Sequence, residues 1–125
     1  MIDVDATAVG LALDDAALVA AVDGRIYGGD APPDGFDPAD GCVLIKSRGG
    51  PARYDPLIDV SIQVKCYGPT PPAAWTVYRT TYDALHEKSN EQVTFSRSEV
   101  NGQQLAEPGT GRIYILAYFR MLMRP

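Results

Sequence analysis

Chemistry in this chain would have to come from a short list of side chains. His86 is the sole histidine, with Asp83 three residues before it, Ser89 three after and Glu87 beside it. An imidazole between a carboxylate and a hydroxyl has the parts of a general base with an orienting acid and a nucleophile. At helical spacing the same residues are more simply one solvated polar turn, and that is the reading adopted. Cys42 and Cys66 are 24 residues apart and Cys66 is 20 from His86, spacings that match no compact metal motif. The two thiols read as small apolar residues buried in separate strands. A disulfide would need those strands to be neighbours, and an intracellular setting argues against one. Gly109-Thr110-Gly111 lacks the strand-then-helix setting and the lysine of a phosphate loop, so its glycines serve to turn the chain. No catalytic residue, metal or cofactor is expected.

Aromatic and charged residues suit contact better than catalysis. The segment GRIYILAYFRMLMR, Gly111 to Arg124, puts Ile113, Ile115, Ala117, Phe119, Met121 and Met123 on one face at strand period. Tyr114, Leu116, Tyr118 and Leu122 lie on the other, with Arg120 and Arg124 interspersed. A half-exposed strand alternates apolar with polar, whereas this one is largely apolar on both sides and asks to be covered twice. Tyrosine and arginine on an otherwise apolar face are typical of protein contact surfaces. Packing of Tyr114 and Tyr118 beneath a helix is the alternative.

These residues need a scaffold, and the periodicities supply one. Residues 8 to 23 read as a helix, with Asp14 and Asp15 in its first half, an apolar side of Leu11, Leu18, Val19 and Val22, and Gly24 as a stop. Arg25-Ile26-Tyr27 is a short extended piece. From Gly28 to Gly41, GGDAPPDGFDPADG is loop chemistry carrying Asp30, Asp34, Asp37 and Asp40 around Phe36. Phe36 either anchors on a neighbour or packs back on its own domain. Cys42 to Ser47 is a strand, and RGGPARYDP, with Arg53 and Tyr54, is a turn or arm. Ile58, Val60, Ile62, Val64 and Cys66 alternate with Asp59, Ser61, Gln63 and Lys65, the pattern of a half-buried antiparallel strand.

Thr70 can cap a helix opened by Pro71-Pro72, with an aromatic stripe of Trp75, Tyr78, Tyr82 and Leu85 and an end near Ser89 and Asn90. A mostly polar extended stretch from Val93 to Leu105, a turn at Glu107 to Gly111 and the apolar final strand complete a hairpin. The expected fold is α+β: two helices packed on a mostly antiparallel sheet, in a single domain spanning 1–125.

Composition narrows the function classes. The 125 residues carry a net charge of −5 and an apolar fraction ordinary for a globular domain. No apolar run reaches the roughly 18 residues of a membrane span, and the N-terminus lacks the basic start and apolar core of a signal peptide. An acidic domain without a basic stripe is a poor candidate for gripping nucleic acid, though it could line a passage through which DNA slides. The expectation is an intracellular protein, or one assembled inside a cell.

In layout the chain resembles the tail terminator (tail completion) proteins of long-tailed bacteriophages and related tailed particles. The resemblance rests on the first helix running into Asp23-Gly24-Arg25-Ile26-Tyr27, the proline-bearing loop, and the alternating strand ending in Tyr67-Gly68. The helix after Pro71-Pro72 and the closing hairpin complete it. It implies a non-enzymatic virion protein at the tail–neck junction, similar in fold to the tube subunits and assembled in the host cytoplasm. It would form a homo-oligomeric, sixfold ring on the last ring of tail tube protein. Its other face would receive head-completion or neck proteins, and DNA would pass the lumen without specific binding. On that footing Asp34, Phe36, Asp37, Asp40, Arg53, Tyr54, Tyr114, Tyr118, Arg120 and Leu122 are candidates for contacts between subunits or with tube and neck. Acids of the 28–41 loop facing the lumen would repel the phosphate backbone. Other neck connectors, and more remotely a ligand-binding domain or enzyme using the tyrosines and His86, are the competing readings.

Overall fold

The computed structural model describes residues 2–33, 35–48 and 57–125. In chain order it has α1 (Val4–Leu13), α2 (Ala16–Ala21), β1 (Ile26–Gly28), a single 3-10 turn (Pro38–Asp40), β2 (Cys42–Ser47), β3 (Ile58–Tyr67), α3 (Pro71–Leu85), β4 (Val93–Ala106) and β5 (Ile113–Met123). The five strands form one sheet in the order β1-β2-β3-β5-β4. β1 runs parallel to β2, and every other neighbouring pair is antiparallel. The fold is therefore α+β on a mostly antiparallel sheet, as the periodicities predict.

Strand alternation decides which residues the sheet hides. Ile58, Val60, Ile62, Val64 and Cys66 of β3 are buried, and so are Ile115, Ala117, Phe119, Met121 and Met123 of β5. They lie under the helices in one cluster with Leu11, Leu18, Val43, Ile45, Val77 and Leu85. The intervening residues point to the other side of the sheet.

The expected first helix is two helices. Asp15 takes an extended backbone, φ −95° and ψ 111°, and its carboxylate accepts the Leu18 amide, so it starts α2 rather than continuing α1. Asp14 closes α1, and Asp3 caps its start by accepting the Ala6 amide. A short carboxylate that can satisfy a nearby amide competes with helical bonding, and two in succession break the helix. α3 begins as expected, with Thr70 capping Ala73. It ends earlier than expected, because His86 turns extended and Glu87 adopts a left-handed φ of 55°.

The buried side of α3 consists of Ala74, Val77, Tyr78, Thr81, Ala84 and Leu85. Tyr78 and Leu85 of the expected aromatic stripe belong to that side, and its rings reach β4: the Trp75 indole donates to Gln104 and the Gly102 amide donates to the Tyr78 hydroxyl. Small residues let the helix sit close to the sheet, while the aromatic rings fasten the edge strand. Gly102 permits this approach, since a Cβ there would lie 2.7 Å from Ile115 and 2.8 Å from the Tyr78 ring.

Cys42 and Cys66 lie on adjacent strands, but β2–β3 pairing sets Cys66 opposite Val43 and Cys42 opposite Tyr67. The two thiols therefore face opposite sides of the sheet, and both are free and buried. Burial pushes each thiol up to about 12, which makes them packing residues rather than nucleophiles.

Between β3 and α3 the chain packs tightly against itself at Gly68. A Cβ there would lie 2.5 Å from the Ala74 nitrogen and 2.8 Å from the Ala73 carbonyl carbon, both backbone atoms that cannot swing away. Gly68→Ala is expected to lower stability by about 1–3 kcal/mol by forcing α3 off the end of β3. Denaturant unfolding of the two proteins checks this.

Candidate assembly surface

The helices cover one face of the sheet, and the loop after β1 partly covers the other. Cys42, Leu44 and Tyr67 form a small second cluster on that outer face, closed by Tyr27, Phe36 and Tyr114. Phe36 packs back on its own domain, edge-on to Tyr27 at 6.3 Å between centroids, with the Arg25 guanidinium 5.1 Å from its ring centre. Ionic and polar contacts strap the loop down. Lys46 bonds Asp30 at 2.6 Å, Arg112 bonds Asp37 at 3.1 Å, and Arg25 donates to the Gly41 and Asp40 carbonyls. Arg112 also reaches Glu107, which accepts from the Tyr67 hydroxyl. Burial pushes the Tyr67 hydroxyl well above its usual range, reinforced by the Glu107 carboxylate.

The loop reaches Tyr114 and, through Asp37, Arg112 at the start of β5, and the outer face beyond carries the exposed Phe95 and Val100. Register sets Gln63 beside Tyr118, Ser61 beside Arg120 and Asp59 beside Leu122 on β3 and β5. On β4, Phe95 sits opposite Leu122, Arg97 opposite Arg120 and Val100 opposite Tyr118. Phe95 and Val100 are exposed, whereas Tyr114, Leu116, Tyr118, Arg120 and Leu122 are half-buried. The second apolar side of the final strand therefore does not lie beneath a helix, because α3 is on the opposite face.

An ionic lattice organises this surface. Arg120 makes a fork to Asp59, at 2.8 and 3.2 Å, and reaches Glu99 at 3.0 Å. Glu99 also accepts from the Ser61 hydroxyl at 2.6 Å, which spans β4 to β3 across β5. The Arg48 guanidinium lies 4.2 Å from the Tyr118 ring centre and Lys65 5.3 Å from that of Tyr114. The Ser61 hydrogen bond, with those from Arg120 and its charge, holds the Glu99 carboxyl below its ordinary value despite partial burial. Two-point arginine pairing fixes side-chain positions as well as charge, so these side chains are held in place.

The expected contact residues divide by place. Tyr114, Tyr118, Arg120 and Leu122 share the outer face. Phe36 and Asp37 belong to the strapped loop on the other half of that face, and Asp40 is exposed at the 3-10 turn. Asp34, Arg53 and Tyr54 lie outside the described residues, as does most of the 48–56 segment. Sequence reasoning missed Phe95, Arg97, Glu99 and Val100, which share the same surface. Their stretch reads as mostly polar, and its register shifts between Ser98 and Val100 and between Val100 and Gln103 break the alternation that would have revealed a face.

His86 is a structural fastener in this geometry. Its Nδ1 accepts the Ser98 amide at 2.9 Å and its ring stacks on Tyr82 at 4.7 Å. An open groove of about 460 Å³ on α3 is lined by Tyr78, Arg79, Tyr82, Asp83 and Asn101, without His86. Among the described residues no group of three or more His, Cys, Asp or Glu side chains could hold a metal ion. No helix among them is long and apolar enough to cross a membrane.

Adjacent positions on β5 offer a direct test of the two faces. Phe119→Ala is expected to cost about 3–5 kcal/mol in denaturant unfolding, as a fully buried ring is lost, and Tyr118→Ala no more than about 1 kcal/mol. Glu99 gives a pH test. Its folded value is depressed, so its contribution is complete above the ordinary glutamate value of 4.5 and is lost as the pH falls through the lower folded value. The loss should stay under about 1 kcal/mol because the pair is partly solvated, and Glu99→Gln should flatten that acid limb of stability against pH.

No protein-family model matches the sequence, and no curated protein matches it. Among solved structures, the fold is similar to that of a chain in the structure titled "Virion of native gene transfer agent (GTA) particle". The match has a TM-score of 0.65 at 18% identity and covers 94% of this chain and 92% of the other. At that identity the likeness is one of fold, and it extends over almost the whole of both chains.

Proposed function

We propose that the protein is a structural component of a phage-like virion: a ring-forming tail terminator that caps the tail tube, stops its polymerisation and offers the surface to which the head joins. The observation that carries this reading is the end-to-end fold likeness to a chain of a virion particle, covering both chains almost completely. The outer face of β5 and β4 supports it, since an arginine lattice among half-buried tyrosine and leucine side chains is the composition of a contact surface.

The mechanism asked of the subunit is geometric. A ring closes when each copy offers two different complementary patches related by a rotation that returns to its start. One ring face then repeats the contacts that lengthen a tube, and the other withholds them, so growth stops there and a neck protein can dock. No bond is made or broken, and this work needs no catalytic group. The protein would act at the tail–neck junction of the particle, with the tail tube and a head-completion protein as its partners. DNA would cross the lumen without being gripped.

Particles made without this protein should carry overgrown tubes and unattached heads when viewed by negative-stain microscopy. Tails of normal length that fail to join heads would instead assign it to the neck, and unaltered infectious particles would remove the assembly role altogether.

A further inference from the structure

Three large apolar side chains stand exposed among the described residues: Phe95 at 41%, Val100 at 46% and Leu13 at 46%. They are not scattered. Phe95 and Val100 flank Arg97 on the outer face of β4, one edge of the sheet. Leu13 lines a groove between α1 and the end of β1, the opposite edge. That groove holds about 480 Å³ and is lined by Val9, Gly10, Leu13 and Gly28, with Asp3 and Asp5 among its walls. It exceeds a phenyl ring severalfold, since an apolar cavity of about 150 Å³ accommodates benzene.

The β4 patch carries a charge that no described carboxylate of its own subunit neutralises. Arg97 sits directly across from Arg120, an arrangement of like charges that weakens a strand pair. Arg120 is neutralised by Asp59 and Glu99, whereas Arg97 is exposed and no carboxylate among the described residues pairs with it. The groove has the opposite character. Nine of the sixteen acidic residues but one of the eleven basic ones lie in the first forty positions. Asp3 and Asp5 each use one carboxylate oxygen on a backbone amide, of Ala6 and Ser47 respectively, which leaves the second oxygen of each for a cation.

We infer that Phe95 and Arg97 of one copy seat in the α1–β1 groove of a second copy of this chain, the phenyl ring against Leu13 and Val9 and the guanidinium on Asp3 and Asp5. Knob and groove are different surfaces on opposite sheet edges, so one subunit cannot satisfy both. Each copy gives its knob to one neighbour and receives one from the other, the head-to-tail pattern that closes into a ring. The inference rests on the ring reading and names its contact.

Gly10 makes the contact testable without damage to the fold. A Cβ there meets nothing within 4 Å although the residue is in mid-helix, so Gly10→Lys improves helix propensity while placing bulk and positive charge in the groove. Arg97→Glu removes an unpaired charge from an exposed site and places an acid against Asp3 and Asp5. By sedimentation, each variant alone should associate at least about tenfold more weakly than the parent, with an unchanged melting temperature. Mixed in equal amounts, the two should recover rings. The carboxylate knob of each Arg97→Glu copy would seat in the ammonium-bearing groove of a Gly10→Lys copy. The native Arg97 of the Gly10→Lys copy would seat in the unaltered groove of the next Arg97→Glu copy, so the two variants alternate around an even-numbered ring.

Recovery on mixing supports the contact and would not follow from a merely structural defect. Parent-like rings that survive both substitutions overturn the contact and leave the ring reading standing. A parent that stays monomeric with and without tail tubes overturns both.

Discussion

The uninterrupted antiparallel pairing of β3 with β5 is the constraint on which the rest of the structure depends. Ten residue pairs run from Ile58 with Met123 to Tyr67 with Tyr114 without a register shift. Because side chains alternate, that single register sends Ile62, Val64, Ala117 and Phe119 under the helices and Ser61, Gln63, Tyr118 and Arg120 to the far side. A one-residue slip of β5 would turn its whole set over, exposing Ala117 and Phe119 and burying Arg120 beneath α3. Fold and contact surface are thus fixed by the same hydrogen bonds.

With the centre fixed, the sheet has one layer of helices for two faces, and the chain treats the halves of its second face differently. Over β1 to β3 it folds the Gly/Pro-rich loop back, inserts Phe36 and ties the loop with Arg25, Lys46 and Arg112. Over β5 and β4 no described loop folds back, and Arg120, Asp59 and Glu99 tie the strands together. Fastening an exposed loop with several ionic contacts does little for global stability. It does fix where the loop lies on the outer face.

Much of this was legible in the residues. The alternation from Ile58 to Cys66, the Thr70-Pro71-Pro72 start and the two-faced final strand pointed to the strands, the third helix and the need for a second cover. What escaped was set by local competition or by tertiary contact. The helix break at Asp14-Asp15 hinges on which amide a carboxylate takes. The early end of α3 follows from His86 turning to accept an amide of β4. The outer-face residues of β4 were hidden because its bulges disrupt period two. A glycine within an extended stretch was the available signal, since it marks a bulge or a close approach, and Gly102 proves to be the latter, against Tyr78.

The fate of Phe36 separates folding determinants from assembly determinants. An aromatic residue in a long polar loop is compatible with an anchor for a neighbour and with a plug for its own core. Here it closes the cluster of Cys42, Leu44 and Tyr67, so its loss would expose those side chains before it altered any partner. Phe95 is the converse: it sits on a well-formed strand, closes no buried cluster, and lies beside a charge that opposes its own strand pairing. Natural proteins keep such features on sheet edges where they serve association or prevent the wrong kind. An arginine with no carboxylate partner among the described residues, set between two exposed apolar side chains and opposite another arginine, gains little from them. Covering it with an acidic, apolar groove would bury the ring and neutralise the charge in a single contact.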